Sequence, residues 1–150
     1  MIQRVLFVCV GNLCRSPMAE GMLRHAMPML TVASAGVHAR SGMHADSMAV
    51  AVMQEHGIDI SAHRSKALTG SMCARNDMLL VMDRRLREKI ADHYPDQRGK
   101  IHVLADAGIP DPYRQSDEAF ADCYARIDAA MQTWLPRLYA LGASSARAVS

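Results

Sequence analysis

Between Val5 and Val10 the chain is an unbroken apolar run rich in β-branched residues, and it stops at Gly11-Asn12. A short run without polar alternation reads as a strand buried on both faces, the habit of a central strand in a parallel sheet. A helical pattern follows at once. Ser16 is suited to cap it and Pro17 to its first position, and Met18, Met22, Leu23 and Ala26 share one face until Met27-Pro28 stops it. A buried strand that passes through a tight loop into a helix commits the chain to α/β layering, because the helix must cover one sheet face and further strands must flank the first.

The alternation repeats. A short strand is expected near Leu30 to Ser34, then a helix from about Asp46 with Ala45, Met48, Ala49, Val52 and Met53 at core spacing, closed by Gly57. Met78 to Met82 reads as another buried strand and Arg84 to His93 as a charged helix. A strand follows around Ile101 to Leu104, then a loop through Pro110 and Pro112. In a long last helix, Phe120, Cys123, Tyr124, Ile127, Met131, Trp134, Leu135 and Leu138 form a stripe at steps of three and four. Pro136 should kink or end that helix, and 142–150, small and polar, is expected to be a disordered tail. The expected architecture is a central parallel sheet of about four strands with helices on both faces, ligands gathering at the carboxyl ends of the strands.

Half of the 150 residues are hydrophobic, enough for one domain over 1–150 to stand without disulfides or a structural metal. The formal net charge is +2 with scattered basic residues, which gives no stripe for nucleic acid or a membrane surface. The only apolar run near the N-terminus is too short to span a bilayer, so stable membrane insertion is not expected and the cytoplasm is the expected location. There the four cysteines, Cys9, Cys14, Cys73 and Cys123, stay reduced, which favours chemistry over stapling.

The segment that carries chemistry is Cys9-Val10-Gly11-Asn12-Leu13-Cys14-Arg15-Ser16, a loop between a buried strand and a helix N-terminus. A helix start offers unpaired N–H groups and the positive end of the macrodipole, so a tight loop there can wrap a tetrahedral dianion. Gly11 is expected to let the chain turn. The planar fork of Arg15 can engage two phosphate oxygens. Cys9, beneath that cradle, lies where amides, dipole and Arg15 all favour a thiolate, and a thiolate can attack phosphorus. Ser16 can donate to the sulfur and help it leave. No G-x-x-x-x-G-K-[ST] or G-x-G-x-x-G pattern offers another phosphate-binding loop.

With the following Pro17-Met18-Ala19-Glu20, this loop resembles the signature C-x-G-N-x-C-R-S-P-x-A-E of the low-molecular-weight protein tyrosine phosphatases. The resemblance continues through Ser34-Ala35-Gly36, His56-Gly57-Ile58, Asp59-Ile60-Ser61, Met82-Asp83 and Asp111-Pro112-Tyr113, over about residues 3 to 140. It implies phosphotyrosine hydrolysis through a phosphocysteine, with Cys9 as nucleophile, Arg15 as phosphate clamp and Asp111 as general acid. Val10, Gly11, Asn12, Leu13, Cys14 and Ser16 complete the phosphate loop, and Leu13 and Tyr113 wall the ring cleft. It implies no cofactor and no metal. Asp111 suits its role independently, since a phenolate leaves far more readily when protonated as it departs.

Arg114, where many members carry a second tyrosine, resembles the bacterial subgroup associated with exopolysaccharide export. That implies a phosphotyrosine protein as partner, such as an autophosphorylating tyrosine kinase, with inorganic phosphate as product. An arginine there can favour acidic or multiply phosphorylated partners.

Other signals are weaker. The seven histidines show no H-E-x-x-H, and there is no C-x-x-C, so most are read as solvated; His63 looks structural by the same resemblance. The twelve methionines read as core filler and Arg84 to Lys89 as a solvated helix face. A thiol-dependent arsenate reductase shares the fold and loop but needs cysteines just after the strand at Met78 to Met82, where this chain has Asp83-Arg84-Arg85. A non-catalytic phosphotyrosine-binding module has no need of Asp111 beside Cys9 and Arg15.

Overall fold

The computed structural model describes residues 1–142 and, for 143–149, no more than their place within the last helix; of the tail expected over 142–150, all but residue 142 lies outside the fully described residues. Four strands, β1 (Arg4–Cys9), β2 (Thr31–Gly36), β3 (Met78–Val81) and β4 (Ile101–Val103), form one sheet in the order β2-β1-β3-β4, every pair parallel. The helices are α1 (Arg15–Ala26), α2 (Ser47–Glu55), α3 (Gly70–Arg75), α4 (Arg84–His93) and α5 (Asp117–Val149).

Successive residues of β1 point to opposite faces, and both faces are apolar and buried, as the continuous run requires. Val5, Phe7 and Cys9 join a core with Met18, Met22 and Leu23 of α1, Met53 of α2 and Phe120, Ile127 and Trp134 of α5. Leu6 and Val8 join a second core with Cys73 of α3 and Leu86 and Ile90 of α4. Phe7 is fully buried, so truncating it to alanine costs on the order of 3–5 kcal/mol. β1 is central, and the chain moves to β2 on one side and β3 on the other. The carboxyl end of β1, where Cys9 lies, is therefore the switch point at which such sheets open a crevice.

Two expectations are corrected. Ser16 does not cap α1: Cys14 holds the cap position without a side-chain bond, Pro17 is the third helical residue, and the Ser16 hydroxyl is committed elsewhere. Pro136 does not end α5, which continues past it. Pro136 is exposed, as is Gln132, whose carbonyl loses its helical donor to the proline, so water can take up that bond at little cost. In addition, α3 and a 3-10 turn at Pro95–Lys100 occupy stretches to which the sequence pattern assigns no element.

Candidate active site

The loop from Cys9 to Arg15 is shaped from behind. Its left-handed residue is Asn12, at φ 58°, whereas Gly11 needs no positive φ, so the turn expected of the glycine is made one residue later. Asparagine tolerates that region better than most side chains, and here its amide is fully used. Oδ1 accepts the Lys66 backbone N–H at 2.9 Å, and Nδ2 donates to Ser16 Oγ at 2.8 Å and Ser34 Oγ at 2.9 Å. The Ser34 hydroxyl in turn donates a hydrogen bond to Glu20 Oε1 at 2.6 Å, and His63 Nε2 meets the Asn12 carbonyl at 2.8 Å. Burial disfavours charge on His63, while the Asn12 carbonyl and Glu20 favour it. Gly36, at the end of β2, must lack a side chain: a Cβ there would lie 2.5 Å from the Val10 carbonyl and 2.9 Å from the Asn12 nitrogen.

This scaffold decides what reaches the sulfur. Cys9 Sγ accepts the Asn12 N–H at 3.2 Å and lies 2.8 Å from Ser16 Oγ. Because the Ser16 oxygen already accepts from Asn12 Nδ2, its proton is free to point at the sulfur. Cys9 is thus offered two donors, the arrangement that stabilises a thiolate. Burial, reinforced by Asp46 and Asp111, pushes the Cys14 thiol far above its ordinary value. Burial likewise pushes Cys123 up to about 12, against the pull of Arg15. Both neighbours therefore stay protonated at neutral pH.

Arg15 is buried, its Nη1 donating to the Ile109 carbonyl at 2.9 Å, a bond that holds the guanidinium where it lines the cleft. Its Nη2 lies 3.7 Å from Asp111 Oδ2, and Asp111 Oδ1 accepts the Tyr113 N–H at 3.1 Å. The Asp111 side chain is about half exposed, so water can reach it while the opposite edge faces the loop. Cys9, Val10, Gly11, Leu13, Cys14, Arg15, Asp111 and Tyr113 line one cleft of about 420 Å³. Asn12 and Ser16 lie fully buried beneath it and act through Cys9.

All ten residues singled out from the sequence thus meet at one place, eight on the wall and two behind it. Sequence reasoning missed the supporting layer of Ser34, Glu20 and the Lys66 backbone, and the rim residues His38, Arg40 and Met43, which also line the cleft. The one signal for the first group was a serine inside the buried strand Thr31–Gly36, since a buried hydroxyl needs partners.

Residues 4–144 match the low molecular weight phosphotyrosine protein phosphatase family. The chain belongs to that family. Among relatives of this phosphatase, the probable low molecular weight protein-tyrosine-phosphatase EpsP of Ralstonia solanacearum is 46% identical over 145 residues, spanning 95% of this chain and all of that protein. Among solved structures, Vibrio vulnificus Wzb in complex with benzylphosphonate superposes with a TM-score of 0.87 at 40% identity, covering 91% of this chain and 99% of that one. The YwlE arginine phosphatase from Geobacillus stearothermophilus reaches 0.89 at 30% identity, covering 95% and 96%. The four-stranded parallel sheet with helices on both faces is the fold this phosphatase shares with such structures.

Proposed function

We propose that this phosphatase hydrolyses phosphotyrosine in proteins by two displacements at phosphorus, with Cys9, Arg15 and Asp111 as its catalytic residues. The observation that carries the reading is the pair of donors on Cys9 Sγ at the foot of a cleft whose wall holds Arg15 and Asp111. The thiolate attacks phosphorus while the backbone donors of the loop and Arg15 take up the equatorial oxygens. The bond to the tyrosine oxygen breaks as Asp111 gives it a proton, leaving tyrosine and a phosphocysteine. Asp111, now a carboxylate, takes a proton from water, the water oxygen attacks phosphorus, and the S–P bond breaks with its electron pair returning to Cys9. The Ser16 O–H, already aimed at the sulfur, stabilises the departing thiolate.

Leu13 and Tyr113 supply the apolar and aromatic walls that suit a phenyl ring. The subgroup resemblance carried by Arg114 supports a partner linked to exopolysaccharide production, an autophosphorylating tyrosine kinase being the expected one. It also supports a cytoplasmic location. Among the described residues no helix is long and apolar enough to cross a membrane.

The likeness to an arginine phosphatase gives a second reading, phosphoarginine as substrate. The charges oppose it. A phosphorylated guanidinium enters best between carboxylates, and Asp111 is the one carboxylate on a cleft wall that also carries Arg15, Arg40 and Arg114. The deciding experiment compares phosphotyrosine and phosphoarginine peptides, with arsenate reduction assayed in parallel. Phosphotyrosine turnover dominating by orders of magnitude supports the proposal, and dominant phosphoarginine or arsenate turnover overturns it.

A further inference from the structure

The cleft continues past the phenyl walls to a rim whose charges the hydrolysis of a lone phosphotyrosine does not use. Arg114 follows Tyr113, and Arg40 lies in the segment that joins β2 to α2; both line the cleft and both are exposed. Among the described residues neither has a carboxylate within ion-pair distance; several other arginines are likewise unpaired, but of the unpaired ones only Arg40 and Arg114 line the cleft. A third positive group lies behind them. Lys89 Nζ donates to His38 Nε2 at 2.8 Å, and His38 also lines the cleft.

The backbone under Arg40 is clamped to the phosphate loop at both ends. Val37 N–H donates to the Cys9 carbonyl at 3.1 Å and His38 N–H to the Val10 carbonyl at 2.9 Å, so the segment leaves β2 still bonded to the loop. At its far end Asp46 N–H donates to the Leu13 carbonyl at 2.9 Å. Between them Ser65 acts as a pin. Its carbonyl takes the Gly42 N–H, its N–H reaches the Met43 carbonyl, and its hydroxyl takes the Met43 N–H and donates to the Arg40 carbonyl. Gly42, at φ 87°, makes the turn that this pinning needs. Arg114 itself sits at φ 62°, with its guanidinium carbon 5.3 Å from the centre of the Tyr113 ring. Two guanidinium groups that line one cleft, carry no carboxylate partner and, for Arg40, rise from a backbone held to the phosphate loop are available to a second anion.

We infer that Arg40 and Arg114 together form an anion subsite at the mouth of the cleft, which selects phosphotyrosines that have a carboxylate or a second phosphate beside them in the substrate chain. This rests on the tyrosine-phosphatase reading and adds the substrate class. Arg114 alone was open to such a role from the sequence; Arg40, 74 positions away, enters through the fold. The same rim disfavours phosphotyrosines flanked by lysine or arginine, because those bring like charge to the mouth.

The test uses four synthetic peptides of one length: a single phosphotyrosine in neutral surroundings, the same flanked by aspartates, the same beside a second phosphotyrosine, and the same flanked by lysines. kcat/KM is measured at low and high salt for the native protein and for Arg40→Gln, Arg114→Gln and the double variant, each normalised to p-nitrophenyl phosphate turnover by the same protein. Exposed pairs of this kind change a rate constant about two- to five-fold each. The native protein should therefore prefer an anion-flanked peptide over the neutral one by roughly five- to twenty-fold at low salt. Each single variant should lose part of that ratio, the double variant nearly all, and high salt should do the same to the native protein. The aspartate and second-phosphate arms show which source of negative charge the subsite takes. A double variant that keeps the full ratio overturns the inference, as does a native protein that treats all four peptides alike. Turnover of p-nitrophenyl phosphate with none of the four peptides would instead overturn the tyrosine-phosphatase reading on which the inference stands.

Discussion

The His63 ring holds the Asn12 carbonyl at 2.8 Å across 51 positions of sequence, and Asn12 is the left-handed residue on which the phosphate loop turns. The loop is thus kept in shape by contacts from outside itself, and Asn12 serves both backbone and side chain. The two contributions separate by substitution. Asn12→Gly keeps the conformation free of strain and loses the amide's three bonds; Asn12→Ala loses the same bonds and adds a left-handed cost of about 1 kcal/mol. Both should lower kcat strongly, because Ser16 and the loop N–H lose their aim at Cys9. In urea unfolding Asn12→Ala should be the less stable of the two by about that amount. Equal stabilities would mean that the φ of Asn12 carries no strain.

Asp111 reaches the mouth from a loop fixed by the Arg15 bond to Ile109, so its loss should affect proton transfer more than binding. Asp111→Asn is expected to slow aryl phosphates in proportion to the basicity of the leaving phenolate, with about 10²- to 10⁴-fold loss for the poorest leaving groups and little for the best. Cys9→Ser should abolish turnover while retaining binding of phosphate mimics, since the loop donors and Arg15 remain. Equal slowing across the leaving-group series would remove Asp111 from the acid role.

Cys9 and Cys14 are both free and buried in one tightly curled loop, and Cys14 is held as a thiol by its burial. Mild peroxide should therefore oxidise Cys9 first, and the sulfenic acid should condense with Cys14 with loss of water to give a disulfide that added thiol reverses. Cys14→Ser should turn reversible inactivation into permanent loss. Thiol-recoverable activity in that variant, or a peptide map pairing Cys9 with Cys123, would count against this route.

What the sequence disclosed follows from where the determining contacts lie. The loop from Cys9 to Ser16 was legible because its chemistry is contiguous, and β1 because five adjacent residues, Val5 to Cys9, are apolar toward two buried faces. Asp111 entered through family resemblance, since an Asp-Pro pair alone says only turn. The support behind the loop was hidden, because Asn12 meets Ser34, His63 and Lys66 over separations of 22 to 54 residues, with no local pattern. Arg40 was hidden for the same reason. Ser16 carried two readings in the sequence, a helix cap because a serine before Pro-x-x-Glu fits one, and a donor to the Cys9 sulfur; the two compete for one hydroxyl and the sulfur wins. The six-residue α3 carried its signal in Thr69, whose side chain accepts the Met72 N–H, but it is too short to show helical periodicity.

At the other end of the sheet, Asp77 fastens the N-terminus through one oxygen: Oδ2 accepts the N–H of Gln3 and of Arg4, each at 2.9 Å, just where β1 begins. The Gln3 bond leads in holding this carboxyl below its ordinary value of 3.8, with Arg4, the N-terminal ammonium and Lys100 acting in the same direction. A carboxyl whose folded value is depressed contributes stability that is fully present above the unfolded value and is lost as pH falls through the folded one. Asp77→Asn keeps an acceptor oxygen and loses the charge. It should cost on the order of 0.5–1 kcal/mol near neutral pH, a small figure because the group is exposed and screened. The difference between native and variant, read from urea unfolding at a series of pH values, should stay level down to about pH 5 and then close as the native carboxyl protonates below 3.8. A gap that stays constant to the lowest pH would show that geometry, rather than charge, ties Asp77 to the first strand.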